Sequence, residues 1–301
     1  MDFTHSQKEY NGRARVVFVL DNDECIGAWS IASAIHSLFA TYVPKNTGIP
    51  KSDCLKVLKS ALVKYYFSNG GARPGTKATL KLIKFYKDVG MIDKVIMFTS
   101  SNNGLGWVNF LKECLEEYVD APGLYDLVLH RDNTPSSVSS DGATMKSLDL
   151  VRNKLGFQNE KTSIIMIDDK PHNIIGEGAR IRVSPYRHIV DEKHIDKMID
   201  DVIDTLELMY VFTEKTYAPK RLRHIIKHTI LIDNDGIKRE VSENTHIHRC
   251  PINQLNDTNL IENGVKAFMD HITPLSLVRS ISGNIDCNLS PSPPLKRALS
   301  L

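Results

Sequence analysis

Two acidic pairs, each placed directly after an apolar run, are the part of this chain best suited to chemistry. Val16-Val17-Phe18-Val19-Leu20 runs into Asp21-Asn22-Asp23, and Ser163-Ile164-Ile165-Met166-Ile167 runs into Asp168-Asp169. A continuous apolar run of that length reads as a strand buried on both faces. The carboxyl ends of such strands are where an open α/β sheet places its ligands. Packing has no use for Asp21 and Asp23 there, and like charges at one strand end repel unless a cation or a proton separates them. Between the two acidic motifs lies Lys94-Val95-Ile96-Met97-Phe98-Thr99-Ser100-Ser101, a strand that ends in hydroxyls. If the three strands are parallel neighbours, Asp21, Asp23, Thr99, Asp168 and Asp169 surround one crevice. Four carboxylates in so small a space call for a hard cation, and Mg²⁺ with oxygen ligands is the natural fit. The Thr99 hydroxyl and the amides just after it would donate to an anionic group on that metal. A carboxylate beside a metal and a phosphate points to phosphoryl transfer through an aspartyl-phosphate.

Each of these residues has a plainer use, and the chain supplies its own comparison. An isolated Asp-x-Asp reads as a turn or a helix cap. Thr229-Ile230-Leu231-Ile232-Asp233-Asn234-Asp235-Gly236 nearly repeats the first motif, but Asn-Asp-Gly followed by Ile237-Lys238-Arg239-Glu240-Val241 reads as a β-hairpin. No hydroxyl-ended strand and no acid pair follow that copy. The motif at Asp21 has both in order, which assigns the chemistry to it. Asp168 also suits the cap of a helix begun by Pro171.

The ordered motifs resemble the haloacid dehalogenase-like (HAD) phosphohydrolase superfamily over residues 14–210. Asp21-Asn22-Asp23-Glu24-Cys25-Ile26 is similar to the signature of the polymerase C-terminal-domain phosphatases and their small relatives. Arg73-Pro74-Gly75, and His130-Arg131 followed by Lys146 opening a helix, are similar to that group's later landmarks. The resemblance implies an α/β fold with a three-layer Rossmann-like parallel sheet and a small cap or none. It makes Asp21 the nucleophile and a Mg²⁺ ligand, and Asp23 the general acid, then base, with its carbonyl on the metal. Thr99 would bind the phosphoryl group and Lys146 would neutralise it, with Lys154 and Lys170 as rivals for that part. Asp168 and Asp169 would complete the metal site, one directly and one behind it. Arg73, His130 and Arg131 read equally as surface charges or substrate contacts. One position departs from the pattern: Cys25 stands where the family carries Thr or Val, which raises the prospect of oxidation sensitivity.

Around these motifs the spacing predicts a strand over 14–20, helices over 26–67 broken at 44–50, a helix over 104–119 and a strand over 124–130. A helix over 143–155, a helix from Pro171, a short strand over 180–183 and a closing amphipathic helix over 192–210 follow. Neither insertion point leaves room for a lid, so an open site is expected, suited to large substrates that reach in from outside. The polar loop 132–141 reads as a substrate contact or a surface connection. The reading divides the chain into an arm (1–13), a HAD-like phosphatase domain (14–214), a C-terminal extension with a β-hairpin (215–285) and a disordered tail (286–301).

Composition sets the outer bounds. Net charge is +2, from 38 basic and 36 acidic residues, so no global polyanion-binding signal exists. Residues 215–301 hold 12 basic against 8 acidic residues, and the stretch 220–228 is basic with apolar interleaving. That stretch reads as contact with nucleic acid or an acidic partner, or as a solvated face. His246, His248 and Cys250 lack a fourth ligand for zinc. Five scattered cysteines argue against a disulfide framework, the start has no apolar leader, and no window spans a membrane. An intracellular setting, cytoplasm or nucleus, is expected. The expected activity is a Mg²⁺-dependent phosphomonoester hydrolase acting on phosphoserine or phosphothreonine protein. A nucleic-acid 3′-phosphatase or nucleotidase, and a catalytically silent scaffold, are the alternatives.

Overall fold

Apolar runs without a polar face become strands covered on both sides, and the sheet here is made of them. The computed structural model describes residues 14–101, 104–130, 145–170, 174–188 and 190–211. In chain order these form β1 (Arg15–Leu20), α1 (Ser30–Ser37), α2 (Val43–Thr47), α3 (Lys51–Ala61), α4 (Thr76–Asp88), β2 (Lys94–Phe98) and α5 (Gly104–Val119). They continue with β3 (Leu127–Leu129), β4 (Lys146–Ser147), α6 (Leu148–Leu155), β5 (Thr162–Asp168), β6 (Ile174–Ile175), β7 (Ala179–Arg182) and α7 (Glu192–Val211). Five strands form one sheet in the order β3-β2-β1-β5-β7, and every pairing in it is parallel.

The strands' two-residue period splits them between two cores. Val16, Phe18, Leu20, Val95, Met97, Ile165 and Ile167 face one core, shared with α1, α3, α4, α5 and α7. Val17, Val19, Ile96, Phe98, Ile164 and Met166 face the other, covered by Leu148 and Val151 of α6 and by Ile174 of β6. The result is an α/β molecule with helices on both faces of a parallel sheet. From β1 the chain fills one side of the sheet through β2 and β3, then returns to place β5 and β7 on the other. The strand order therefore reverses between β1 and β5, where such sheets open a crevice at their carboxyl ends.

The segment between β1 and β2 is not a lid. Its helices, extended by π-helical turns at Leu38–Tyr42 and Leu62–Tyr66, put Phe39, Leu58, Leu62 and Phe67 into the same core as the sheet. The expected break at 44–50 narrows to 48–50, because Pro44 sits in the first turn of α2, where its missing N–H costs nothing.

Several expected elements shift. The strand expected over 124–130 covers Leu127–Leu129, and the last short strand is Ala179–Arg182. The helix expected over 143–155 begins at Leu148, with the Ser147 hydroxyl accepting from the Leu150 N–H at 3.3 Å as its cap. Lys146 precedes it, in β4. The helix expected from Pro171 is a correction: Ile174–Ile175 is a strand, pairing in parallel with Lys146–Ser147. Among the described residues from 174 to 188 there is no helix, since that stretch closes the second small sheet and then feeds β7.

No helix among the described residues is long and apolar enough to cross a membrane. Cys25, Cys54 and Cys114 are buried and unbridged. The arm 1–13, Arg131, the loop 132–141, Pro171, the boundary at 214, the extension with its hairpin, the stretch 220–228, His246, His248, Cys250 and the tail 286–301 lie outside the described residues.

Candidate metal centre at the sheet switch point

The site begins where the β1–β5 ladder ends. Leu20 pairs with Ile167, and the Asp21 N–H continues the ladder by donating to the Ile167 carbonyl at 3.0 Å. That extra rung sets Asp21 beside Asp168, the last residue of β5. The chain then turns back on itself. Glu24 N–H donates to Gly27 O at 2.9 Å, and Ile26 N–H to Asn22 O at 3.1 Å, with Glu24 in the left-handed region at φ 59°. Gly27 is required here, because a Cβ would stand 2.0 Å from the Trp29 ring. Trp29 in turn donates from Nε1 to Asn22 O at 3.1 Å and packs on Phe67.

Arg73 pins this turn from below. It is 2% exposed and donates from Nη2 to Glu24 O at 3.0 Å and to Ser184 O, with its guanidinium over the Tyr186 ring. Tyr186 N–H donates to the same Glu24 carbonyl at 2.6 Å. Arg73 is thus a buried clamp, not a surface charge. His130 is likewise buried, at 3% exposed.

Six of the predicted residues meet in one place. The Lys146 ammonium lies 2.6 Å from Asp21 Oδ1 and 2.7 Å from Asp168 Oδ2. Burial alone would lower its pKa, but the two carboxylates outweigh that and the net shift is upward. Lys154 is exposed, and Lys170 reaches Asp169 and Glu24 at 3.8 and 3.7 Å instead of Asp21. Asp21, Asp168 and Asp169 each offer a carboxylate oxygen, and these atoms lie within 4.8 Å of one another. Asp23 does not join that triad. Its Oδ2 accepts from the Thr99 hydroxyl at 3.0 Å. The Ser101 amide, expected to face an anion, donates to Thr99 Oγ1 at 3.0 Å.

Charge at this place does not balance. Lys146 is one buried ammonium against four carboxylates. Burial raises Asp21 well above the usual carboxylate range, opposed by Lys146 and reinforced by Asp168 and Asp23. Burial also raises Asp169, against the pull of Lys170, and raises Asp23, against the Thr99 hydrogen bond. A divalent cation would relieve the same repulsion without protonating any of them. The donor set suits one: it is all oxygen, and buried Asp169 Oδ2 accepts no hydrogen bond among the described residues.

Cys25 offers little to oxidants. It is fully buried, its thiol donates to Ile167 O at 3.7 Å, and burial pushes its pKa up, so the thiolate that oxidation requires is suppressed. The sequence reading missed Glu24, whose carboxylate takes the Arg187 guanidinium at 2.8 and 3.3 Å, and the part played by Ser101. A residue three positions after a strand-end acid gives no signal of an ion pair made 163 residues away. No family model and no curated protein matches the chain.

Proposed function

We propose that the chain is a Mg²⁺-dependent phosphomonoester hydrolase of the HAD-like type, working through an aspartyl-phosphate on Asp21. The observation that carries this reading is the Lys146 ammonium seated between Asp21 and Asp168, within a group of acids whose three closest oxygens suit a divalent ion. An ammonium beside the nucleophile is what a dianionic phosphoryl group needs as it approaches a carboxylate. The ion would be held by Asp21, Asp168 and Asp169, and when bound it supplies charge neutralisation for the phosphoryl oxygens.

The chain's own residues account for the remaining work. Lys146 orients Asp21 through Oδ1, leaving Oδ2 to attack phosphorus. The bond from phosphorus to the substrate oxygen breaks, and Asp23 gives that oxygen a proton. Asp23 is a suitable acid because burial raises its pKa. In the second half Asp23 takes a proton from water, which attacks phosphorus and frees Asp21. Phosphoserine or phosphothreonine protein is the leading substrate, since the helices after β1 join the core layer and form no lid among the described residues.

Purified protein with Mg²⁺ is expected to turn over p-nitrophenyl phosphate, and Asp21→Asn to lose at least ~1,000-fold in kcat while keeping its circular dichroism spectrum. Equal inertness of both proteins on aryl phosphates, phosphopeptides and 3′-phosphorylated oligonucleotides would establish the scaffold instead. Preference for the oligonucleotide, with a steep salt dependence, would establish the nucleic-acid version.

A further inference from the structure

The hydroxyl that was expected to serve the phosphoryl group is already committed. Thr99 is 1% exposed, and its backbone N–H is fixed to Leu129 O at 3.0 Å. Its Oγ1 accepts from the Ser101 N–H at 3.0 Å and lies 3.0 Å from Asp23 Oδ2. A hydroxyl has one proton to give. With the Ser101 amide on one lone pair, that proton is aimed at Asp23. The Ser101 hydroxyl is a second hydrogen-bond partner of the same carboxyl. A donor on Oδ2 favours the acidic proton on Oδ1, so the Thr99 hydroxyl biases which oxygen faces the leaving group.

Resting on the phosphatase reading above, we infer that Thr99 and Ser101 are positioning residues for the acid/base carboxyl of Asp23, with the Ser101 amide setting the direction of the Thr99 hydroxyl. The step they serve is the transfer of the Asp23 Oδ1 proton to the departing oxygen as Asp21 bonds to phosphorus. The electron pair of the broken P–O bond stays with that oxygen and accepts the proton. A good leaving group departs without this help, and a poor one does not.

The experiment compares kcat/KM for p-nitrophenyl phosphate and for a simple alkyl phosphate across variants of the full chain, with Mg²⁺ present. Thr99→Val keeps the shape and removes the proton. It is expected to lose about 10-fold more on the alkyl phosphate than on the aryl phosphate. Thr99→Ser restores the ratio, and Ser101→Ala shows a smaller loss of the same kind. In an Asp23→Asn background, Thr99→Val produces no further difference between the two substrates. Equal losses on both substrates would mean that Thr99 serves only the phosphoryl group, and would overturn the inference while leaving the phosphatase reading standing. A wild type inert toward both esters overturns that reading and this inference together. If Thr99→Val does not fold, Ser101→Ala carries the same comparison, and its failure to discriminate overturns the inference equally.

Discussion

Asn22 sits between the two acids of the first motif, and its side chain is the least satisfied polar group near the site. It is fully buried, and neither its Nδ2 nor its Oδ1 has a hydrogen-bond partner among the described residues. Only its carbonyl is used, by Ile26 N–H and Trp29 Nε1. A buried amide without partners costs about 1–3 kcal/mol in desolvation. Leucine has the same branched shape and the same number of side-chain heavy atoms, and no such debt. Asn22→Leu is therefore expected to stabilise the protein by ~1–2 kcal/mol, read as a higher urea midpoint at unchanged slope. An unchanged or lower midpoint would show that the amide has a partner in the folded protein after all. The acids around it follow the opposite logic. Asp21 and Asp168 share one ammonium at 2.6 and 2.7 Å, so removing Lys146 leaves two buried charges facing each other, a far costlier change than emptying Asn22.

At the scale of elements, the helix pair α1 and α5 carries a pH-sensitive contact. His36 of α1 lies against Trp107 and Phe110 of α5, with ring centroids 5.4 and 4.7 Å away. Burial, with the Lys51 charge adding to it, lowers its pKa to about 4. In the unfolded chain the ring titrates near its usual value of 6.5. Above that value both states hold a neutral ring and the contact costs nothing. As pH falls from about 6.5 toward 4, the unfolded chain takes up a proton that the folded one refuses, and stability drops. Between pH 7.5 and 5 the wild type is expected to lose about 1–2 kcal/mol more than His36→Leu, measured by urea unfolding at both values. Identical losses would mean that the ring finds a way to charge inside the fold. Elements of this kind were legible to different degrees. The apolar runs of β1, β2 and β5 and the periodic helices α5 and α7 declare themselves, because burial on both faces or on one stripe leaves a pattern in the chain. Strands β4 and β6 do not, since two residues are too short to show a period. The hydrogen bonds that define them join Lys146–Ser147 to Ile174–Ile175 across the chain. The acid pairs were readable because a carboxylate following an apolar strand has no packing role. Glu24 and Arg73 were not, because each acts through partners that the sequence does not place beside it, and Ser101 was not, because a serine two places after Thr99 reads as an ordinary loop residue.

For the molecule as a whole, the central strand β1 and its neighbour β5 are the two that end in acids, so the charge at the site and the stability of the sheet are coupled. β1 and β5 contribute to both cores, and the ladder between them runs up to Asp21. Any repulsion between Asp21, Asp168 and Asp169 pushes at the joint on which both layers rest. A divalent ion that binds the folded site and not the unfolded chain stabilises by mass action, about 2.7 kcal/mol at a hundred times its dissociation constant. For a domain of this size that corresponds to a rise in Tm of roughly 5–10 °C. Thermal melts in EDTA and in saturating Mg²⁺ are expected to differ by this amount. Asp169→Asn should remove most of the difference, because the oxygen it neutralises accepts no hydrogen bond among the described residues and its chief use is to a cation. Lys146→Met should melt lower than wild type in EDTA and regain more on adding Mg²⁺, since the ion then compensates for the lost ammonium as well. Equal melting temperatures with and without Mg²⁺ in the wild type would mean that Lys146 alone balances these acids, and that no divalent ion belongs at the switch point.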